Sequence, residues 1–135
     1  MKVLNLIIKQ KYFDAIMCGQ KVQEFREVKP TTIKRLLQLD DEGFEIEDEY
    51  GNAQPIKYDA IRFFVGYNKD RDSALIEVKD AYCEIFVDEN EKPIEYELED
   101  PETGEVRYWV AEQVVYNLGK ILETDIKSKA KLRKV

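Results

Sequence analysis

The spacing of apolar residues along this chain favours short helices near its start and strands further on. Over residues 11–18 the apolar positions are 12, 13, 16 and 17, which fits two turns of helix, and Gly19 fits the left-handed residue that ends one. A second short helix is predicted over 33–39, with Thr31 or Thr32 as its N-cap. Strands are predicted over 3–9, 22–28, 44–47, 61–67, 74–80 with an extension to 87 left open, 106–115 and 116–122.

The turns between these strands complete the prediction of one sheet-rich domain. Hairpin turns are expected at 88–93 and 100–104, and Gly119 marks a bend or bulge near the end of the last strand. Neither a repeat nor a linker divides the 135 residues, so a single domain over 1–135 is predicted. Two helices and many strands indicate an α+β fold, built either as a curved sheet or as a small barrel.

The composition narrows the chemistry that is available. The chain has no histidine, which removes the usual general base near neutral pH and the commonest metal ligand. Cys18 and Cys83 have no partner at metal-ligand spacing and are expected to stay reduced. No apolar run is long enough to span a membrane, and residues 1–9 are predicted to form a strand rather than a signal peptide. We therefore expect a cytoplasmic protein without a metal, a cofactor or a membrane partner.

Charge is strongly segregated along the chain, although the net charge is −7. Residues 1–39 carry eight Lys or Arg against three Asp or Glu, residues 40–105 carry six against twenty-two, and residues 106–135 carry seven against three. The overall acidity argues against a protein that coats nucleic acid non-specifically, but it leaves room for a basic cleft that attracts an anion. The basic tail 127–135 is expected to be a solvated terminus or an arm that contacts phosphates.

Three charged residues that follow the first helix are the strongest candidates for a site. Alternation along the strand 22–28 places Glu24 and Arg26 on one face, and Phe25 is expected to pack into the core from the other. Lys21 can join these two residues only if residues 20–22 still belong to the turn after Gly19. An arginine offers a planar fork, and a lysine a compact charge, for a phosphate or a nucleobase edge. The simpler alternative is a solvent-exposed ion pair between Glu24 and Arg26, worth about 0–1 kcal/mol.

Further candidates come from the central strands. Glu77 is the one charge inside the apolar run 74–78, so its carboxylate is expected to face a cavity or one of the cations named above, or else a solvated face of the sheet. Aromatic rings stack on bases in many nucleic-acid sites. We therefore expect Tyr67 and Asn68, at the end of a central strand, to line the mouth of a cleft that Arg71 in the next loop also reaches.

The order of these features resembles the ASCH (activating signal cointegrator homology) family. A strand and a short helix precede the pattern G-x-K-x-x-E-x-R at residues 19–26, and a strand containing Glu77 and the segment 115–121 follow it. The resemblance spans most of the chain, except residues 40–58, which look like a family-specific elaboration. It implies the PUA-like fold, a small, mostly antiparallel β-barrel with two short flanking helices near the N-terminus.

The resemblance also implies a function. In this family a cleft beside the motif strand is proposed to bind RNA or a nucleotide-like ligand, and Lys21, Glu24 and Arg26 match the motif. One branch hydrolyses N4-acetylcytidine with a lysine, a threonine and a glutamate. Lys21 and Glu77 match two of these positions, and Glu24 stands where the threonine would be. The expected ligand-binding residues are Lys21, Glu24, Arg26, Tyr67, Asn68, Arg71 and Glu77.

Three hypotheses remain open at this point. The first is a module that binds RNA, a nucleotide or a nucleoside. The second is an amidohydrolase acting on an acylated nucleoside such as N4-acetylcytidine, with Lys21, Glu24 and Glu77 as its catalytic residues. The third is a domain whose acidic middle segment binds a basic protein partner. The missing nucleophile favours the first.

Overall fold

The computed structural model describes residues 1–127, so the predicted basic tail lies outside the described residues apart from its first position. These residues form two compact units. Unit 1 contains Met1–Glu24, Lys57–Ala81 and the described residues from Tyr116 onward, and unit 2 contains Phe25–Ile56 and Tyr82–Val115.

Strands dominate the secondary structure, which confirms the predicted α+β class. The fourth strand runs on through Ile85 without a break, so the extension that the sequence left open is present. The elements in chain order are β1 (Val3–Ile8), α1 (Gln10–Met17), β2 (Gln23–Glu27), α2 (Ile33–Leu36), β3 (Ala60–Val65), β4 (Ser73–Ile85), β5 (Glu95–Glu99), β6 (Val106–Val110) and β7 (Glu112–Asp125).

Both helices are short. The first has eight residues and is followed, as predicted, by a glycine in the left-handed region, since Gly19 has a φ of +83°. The second has only four residues. Within residues 1–127, no helical segment combines the length and the apolar character that a bilayer crossing requires.

The main sheet is mixed and open. Five strands pair in the order β1-β3-β4-β7-β2, and β5 and β6 form a separate two-stranded sheet. β1 runs parallel to β3, whereas β3 is antiparallel to β4 and β5 is antiparallel to β6. A barrel requires its two edge strands to pair. β1 and β2 stay at the edges of the sheet, so the described strands do not close into the small barrel that the resemblance implies.

The core of unit 1 lies between β1, β3 and α1. Leu6 and Ile8 are buried on β1 and alternate with more exposed positions, as a strand with one covered face requires. Leu6 lies opposite Phe63 of β3, which is fully buried. Phe13 and Ile16 provide the buried face of α1, which contacts β3. Burial of each such side chain stabilises the fold by about 1.5–3 kcal/mol, so α1 is firmly anchored in unit 1.

Unit 2 departs further from the expected elements. The helix ends at Leu36 instead of continuing to residue 39, because Leu37 is extended and pairs with Pro55 in an isolated bridge. The strand predicted over 44–47 is reduced to two isolated bridges as well. Contacts between distant parts of the chain decide the conformation of this segment, and a local apolar pattern does not report them.

Candidate functional site

The turn after α1 positions Lys21. The N–H of Gly19 donates to the carbonyl of Ile16 at 3.1 Å, and the N–H of Lys21 donates to the carbonyl of Ala15 at 3.0 Å. β2 begins only at Gln23. Residues 20–22 therefore precede the strand, which is the condition that the sequence analysis set for Lys21 to approach Glu24.

Lys21 and Glu24 form an ion pair at the start of β2. Their Nζ and Oε1 atoms are 3.6 Å apart, and the side chains are 20% and 8% exposed. The ammonium also lies 5.8 Å from the ring centroid of Tyr12, within the range of a cation–π contact. A carboxylate this deeply buried is costly unless a cation accompanies it, so the pair differs from an exposed surface ion pair. Tyr12 had not been singled out from the sequence.

The orientation of β2 corrects one prediction. Glu24 is buried and Arg26 is half-buried, whereas Phe25 between them is 44% exposed. The two charged residues do share a face, but that face is the inward one, and the expectation that Phe25 packs into the core was wrong. Lys21 supplies the partner that lets a carboxylate occupy an inward position. Lys21 and Glu24 belong to unit 1, and Arg26 belongs to unit 2.

The carboxylate of Glu77 lies against the backbone of β7. Its Oε1 accepts a hydrogen bond from the N–H of Lys120 at 3.3 Å. A Cβ atom at Gly119 would overlap the same oxygen, so only glycine leaves room for the carboxylate here. The sequence analysis assigned a bend or bulge to Gly119. In the structure Gly119 lies within β7 and permits this close approach.

A hollow of about 390 Å³ lies in unit 1. Of the predicted site residues, only Lys21 is in its lining, which also includes Gly119, the contact of the Glu77 carboxylate, and Ile76, the residue before Glu77 on β4. The remaining lining is mostly apolar, as is common in small-molecule sites. The lining residues are Ile16, Met17, Cys18, Gly19, Lys21, Val22, Ile76, Leu118, Gly119 and Ile121.

The residues predicted to form the mouth of the cleft do not line this hollow. Tyr67 is 86% exposed, and Asn68 is exposed beside it. Arg71 donates from Nη1 to the carbonyl of Gly66 at 3.0 Å, and its guanidinium lies 4.2 Å from the ring centroid of Phe64. These contacts hold Arg71 against the end of β3.

A concave site in unit 2 was missed by the sequence analysis. Glu112 at the start of β7 is 5% exposed and lines a cavity of about 870 Å³. Burial, followed by a hydrogen bond and charge repulsion from Glu45, raises the pKa of Glu112 to about 8. Burial, with repulsion from the same two carboxylates, raises the pKa of Cys83 to about 12. The sequence did contain a signal for Glu112. Like Glu77, it is a charged residue beside an apolar stretch, which indicates a carboxyl group that is buried in the fold.

No group of His, Cys, Asp and Glu side chains among residues 1–127 is arranged to hold a metal ion. Comparison of the chain with protein-family models, with curated proteins and with solved structures found no match. The functional argument therefore depends on the geometry described above.

Substitution of Gly119 by alanine is expected to displace the carboxylate of Glu77. The clashing atoms include the end of a flexible side chain, so the free energy of unfolding should change by no more than about 1 kcal/mol. The amide of Lys120 should lose its acceptor and exchange its hydrogen faster, as measured by NMR. Glu77→Gln keeps an acceptor oxygen and serves as the control with a protected amide. An unchanged Lys120 amide in Gly119→Ala would show that the contact does not exist in solution.

Proposed function

We propose that this protein is a binding module of the ASCH type, with an open sheet in place of the closed PUA-like barrel and a charged cleft for RNA or a nucleotide-like ligand. The observation that carries the proposal is the Lys21–Glu24 ion pair beside a hollow that Lys21 lines, with Glu77 held against Gly119 of the same lining. The helix that follows β1, the glycine turn and the placement of the motif at the start of β2 support it as well.

The chemistry of the hollow suits a ligand with both an anionic and a flat apolar part. The ammonium of Lys21 attracts a phosphate or a nucleobase oxygen, and Glu24 holds that ammonium in place. The ring of Tyr12, already beside Lys21 and 43% exposed, offers a surface on which a base can stack. Arg26 matches the motif in sequence but belongs to unit 2 and does not line the hollow. Tyr67, Asn68 and Arg71 contribute only if the ligand is an oligonucleotide that reaches the loop after β3.

The proposal predicts salt-dependent binding that requires Lys21. The test adds short RNAs, nucleotides and nucleosides, including N4-acetylcytidine, to the protein at several salt concentrations. Fluorescence anisotropy or thermal shift measures their binding. Lys21→Ala should weaken binding by about tenfold or more and reduce the salt slope by about one counterion. Lys92→Ala, an exposed lysine in the hairpin turn between β4 and β5, is the matched control and should bind normally.

Three outcomes decide between the hypotheses. An absence of binding at low salt would rule the proposal out. Equal losses in the Lys21 and Lys92 variants would indicate non-specific charge attraction instead of a site. Release of cytidine from N4-acetylcytidine, abolished by Glu77→Gln, would favour the amidohydrolase.

A further inference from the structure

The cavity of about 870 Å³ is built entirely from residues of unit 2. Three aromatic residues, Phe44, Tyr108 and Trp109, form part of its wall. The indole N–H of Trp109 donates to the carbonyl of Val28 at 3.3 Å, which fixes the orientation of the ring. A cavity of this size with aromatic walls and a few polar groups matches the usual character of small-molecule sites.

The polar part of the cavity is unusually acidic. The carboxyl groups of Glu112 and Glu45 lie close enough to share a hydrogen bond when one of them is protonated, and after burial this contact is the next cause that raises the pKa of Glu112. Within residues 1–127, no ion pair joins either of them to a cation. The other titratable and charged residues that line the cavity are Glu42, Glu47, Cys83, Glu105, Arg107 and Tyr108.

The proximity of these two carboxyl groups, with no cation of the described residues paired to either, suggests that the missing partner is a cation. Five carboxyl groups and one guanidinium line the cavity, so its potential is negative even when Glu112 is protonated. A buried carboxyl that holds a proton near neutral pH loses it when a cation takes the place of that proton. The aromatic wall beside it favours a cation with an apolar body, through both burial and cation–π attraction.

We propose that this cavity binds a small organic cation, a primary ammonium carried on an aromatic or alicyclic body, between the carboxylates of Glu112 and Glu45. The apolar body lies against Trp109 and Phe44. When the ammonium binds, Glu112 gives its proton to solvent, so a neutral carboxyl and a cation become a carboxylate–ammonium ion pair and one released proton. This site is independent of the nucleotide site proposed for unit 1.

The proton release makes binding depend on pH. Because the pKa of Glu112 is about 8, the fraction of protein with an ionised carboxylate rises about fiftyfold between pH 6 and pH 8. The amine itself stays charged throughout this range. The apparent affinity should therefore rise with pH by about the same factor.

The test uses phenethylamine and cyclohexylmethylamine with their neutral alcohol counterparts as probes. Trp109 is the one tryptophan of the chain, so its fluorescence reports occupancy directly. We expect each amine to bind about tenfold or more tightly than its alcohol at pH 8, and more weakly at pH 6. Calorimetry in two buffers of different ionisation enthalpy should detect nearly one proton released per amine bound at pH 7.

Glu112→Gln should weaken amine binding at pH 8 by about tenfold or more and remove its pH dependence. Glu45→Gln gives a second, less buried variant in case the first is misfolded. Glu89→Gln, an exposed carboxyl in the turn after β4, is the matched control and should bind like the parent protein. Any one of three results would overturn the proposal. These are equal binding of amines and alcohols, no binding of either amine at millimolar concentration, and unchanged amine binding by a folded Glu112→Gln variant.

Discussion

Replacement of Glu112 by glutamine is expected to stabilise the protein at pH 7 by about 3 kcal/mol. The side chain is 5% exposed, and this burial is the main reason that its neutral form is favoured; the contact with Glu45 and repulsion from Glu45 and Glu47 act in the same direction. Glutamine has the same shape, carries no charge and can donate a hydrogen bond to Glu45 as the protonated acid does. The substitution therefore keeps the packing and removes the cost of placing an ionisable group there.

The sign of this effect follows from the two protonation equilibria. The pKa of Glu112 rises from 4.5 to about 8 on folding, so the folded protein binds more protons than the unfolded chain between these values. The stability that this proton contributes is fully present below about pH 4.5 and is lost as the pH rises through about 8. The glutamine variant lacks this dependence, so its advantage over the parent protein is absent in acid and grows towards pH 8.

Urea denaturation of both proteins at several pH values between 4.5 and 8.5 measures this difference. Glu89→Gln serves again as the exposed control, and its stability should follow that of the parent protein. A constant difference between the Glu112→Gln variant and the parent at all pH values would contradict the raised pKa. A gain in stability combined with loss of amine binding would be the compromise between stability and function that is typical of binding sites.

Phe13→Ala is expected to cost about 3–5 kcal/mol in the free energy of unfolding. The ring is 1% exposed and anchors α1 in the core of unit 1. A cavity in place of the ring also loosens the attachment of the turn that carries Lys21, because that turn is hydrogen-bonded to Ala15 of the same helix. Ligand binding in unit 1 should therefore weaken along with stability.

Tyr12→Ala is the matched comparison for Phe13→Ala. The two aromatic residues are neighbours on one helix, but Tyr12 is 43% exposed, so its loss should cost only about 1 kcal/mol or less. Chemical denaturation monitored by circular dichroism measures both variants. Similar costs for the two would mean that the buried face of α1 had been assigned wrongly.

The sequence allowed accurate prediction where the deciding interactions are local. The spacing of apolar residues in α1 and the glycine after it predicted the helix and its end, and left open the turn that brings Lys21 to Glu24. Prediction failed where a distant partner decides the outcome. Phe25 was assigned to the core because it is apolar, yet the ion-paired Glu24 takes the inward position. The early end of α2 likewise depends on the pairing of Leu37 with Pro55.

The two sites show the same contrast. Glu77 was identified as a lone charge in an apolar strand, but its contact with Gly119 joins two strands that are far apart in sequence. The pairing of Glu112 with Glu45 also joins distant segments, so the apolar stretch beside Glu112 could indicate a buried carboxyl but could not identify its partner among twenty-eight acidic residues. Charge counting along the chain detects an acidic region, whereas only the folded arrangement distinguishes a buried carboxyl pair from a solvated surface.

The division of the chain between the two units has a consequence for folding during synthesis. Unit 1 is assembled from three separate segments, and the last of these begins at Tyr116. Its parallel pairing of β1 with β3 also joins strands with fifty-one residues between Ile8 and Ala60. Such non-local contacts form slowly, so the N-terminal segment must wait on the ribosome until β3 has emerged, and unit 1 is complete only after the segment that begins at Tyr116 has followed. Until then its apolar face is open to chaperones and to aggregation.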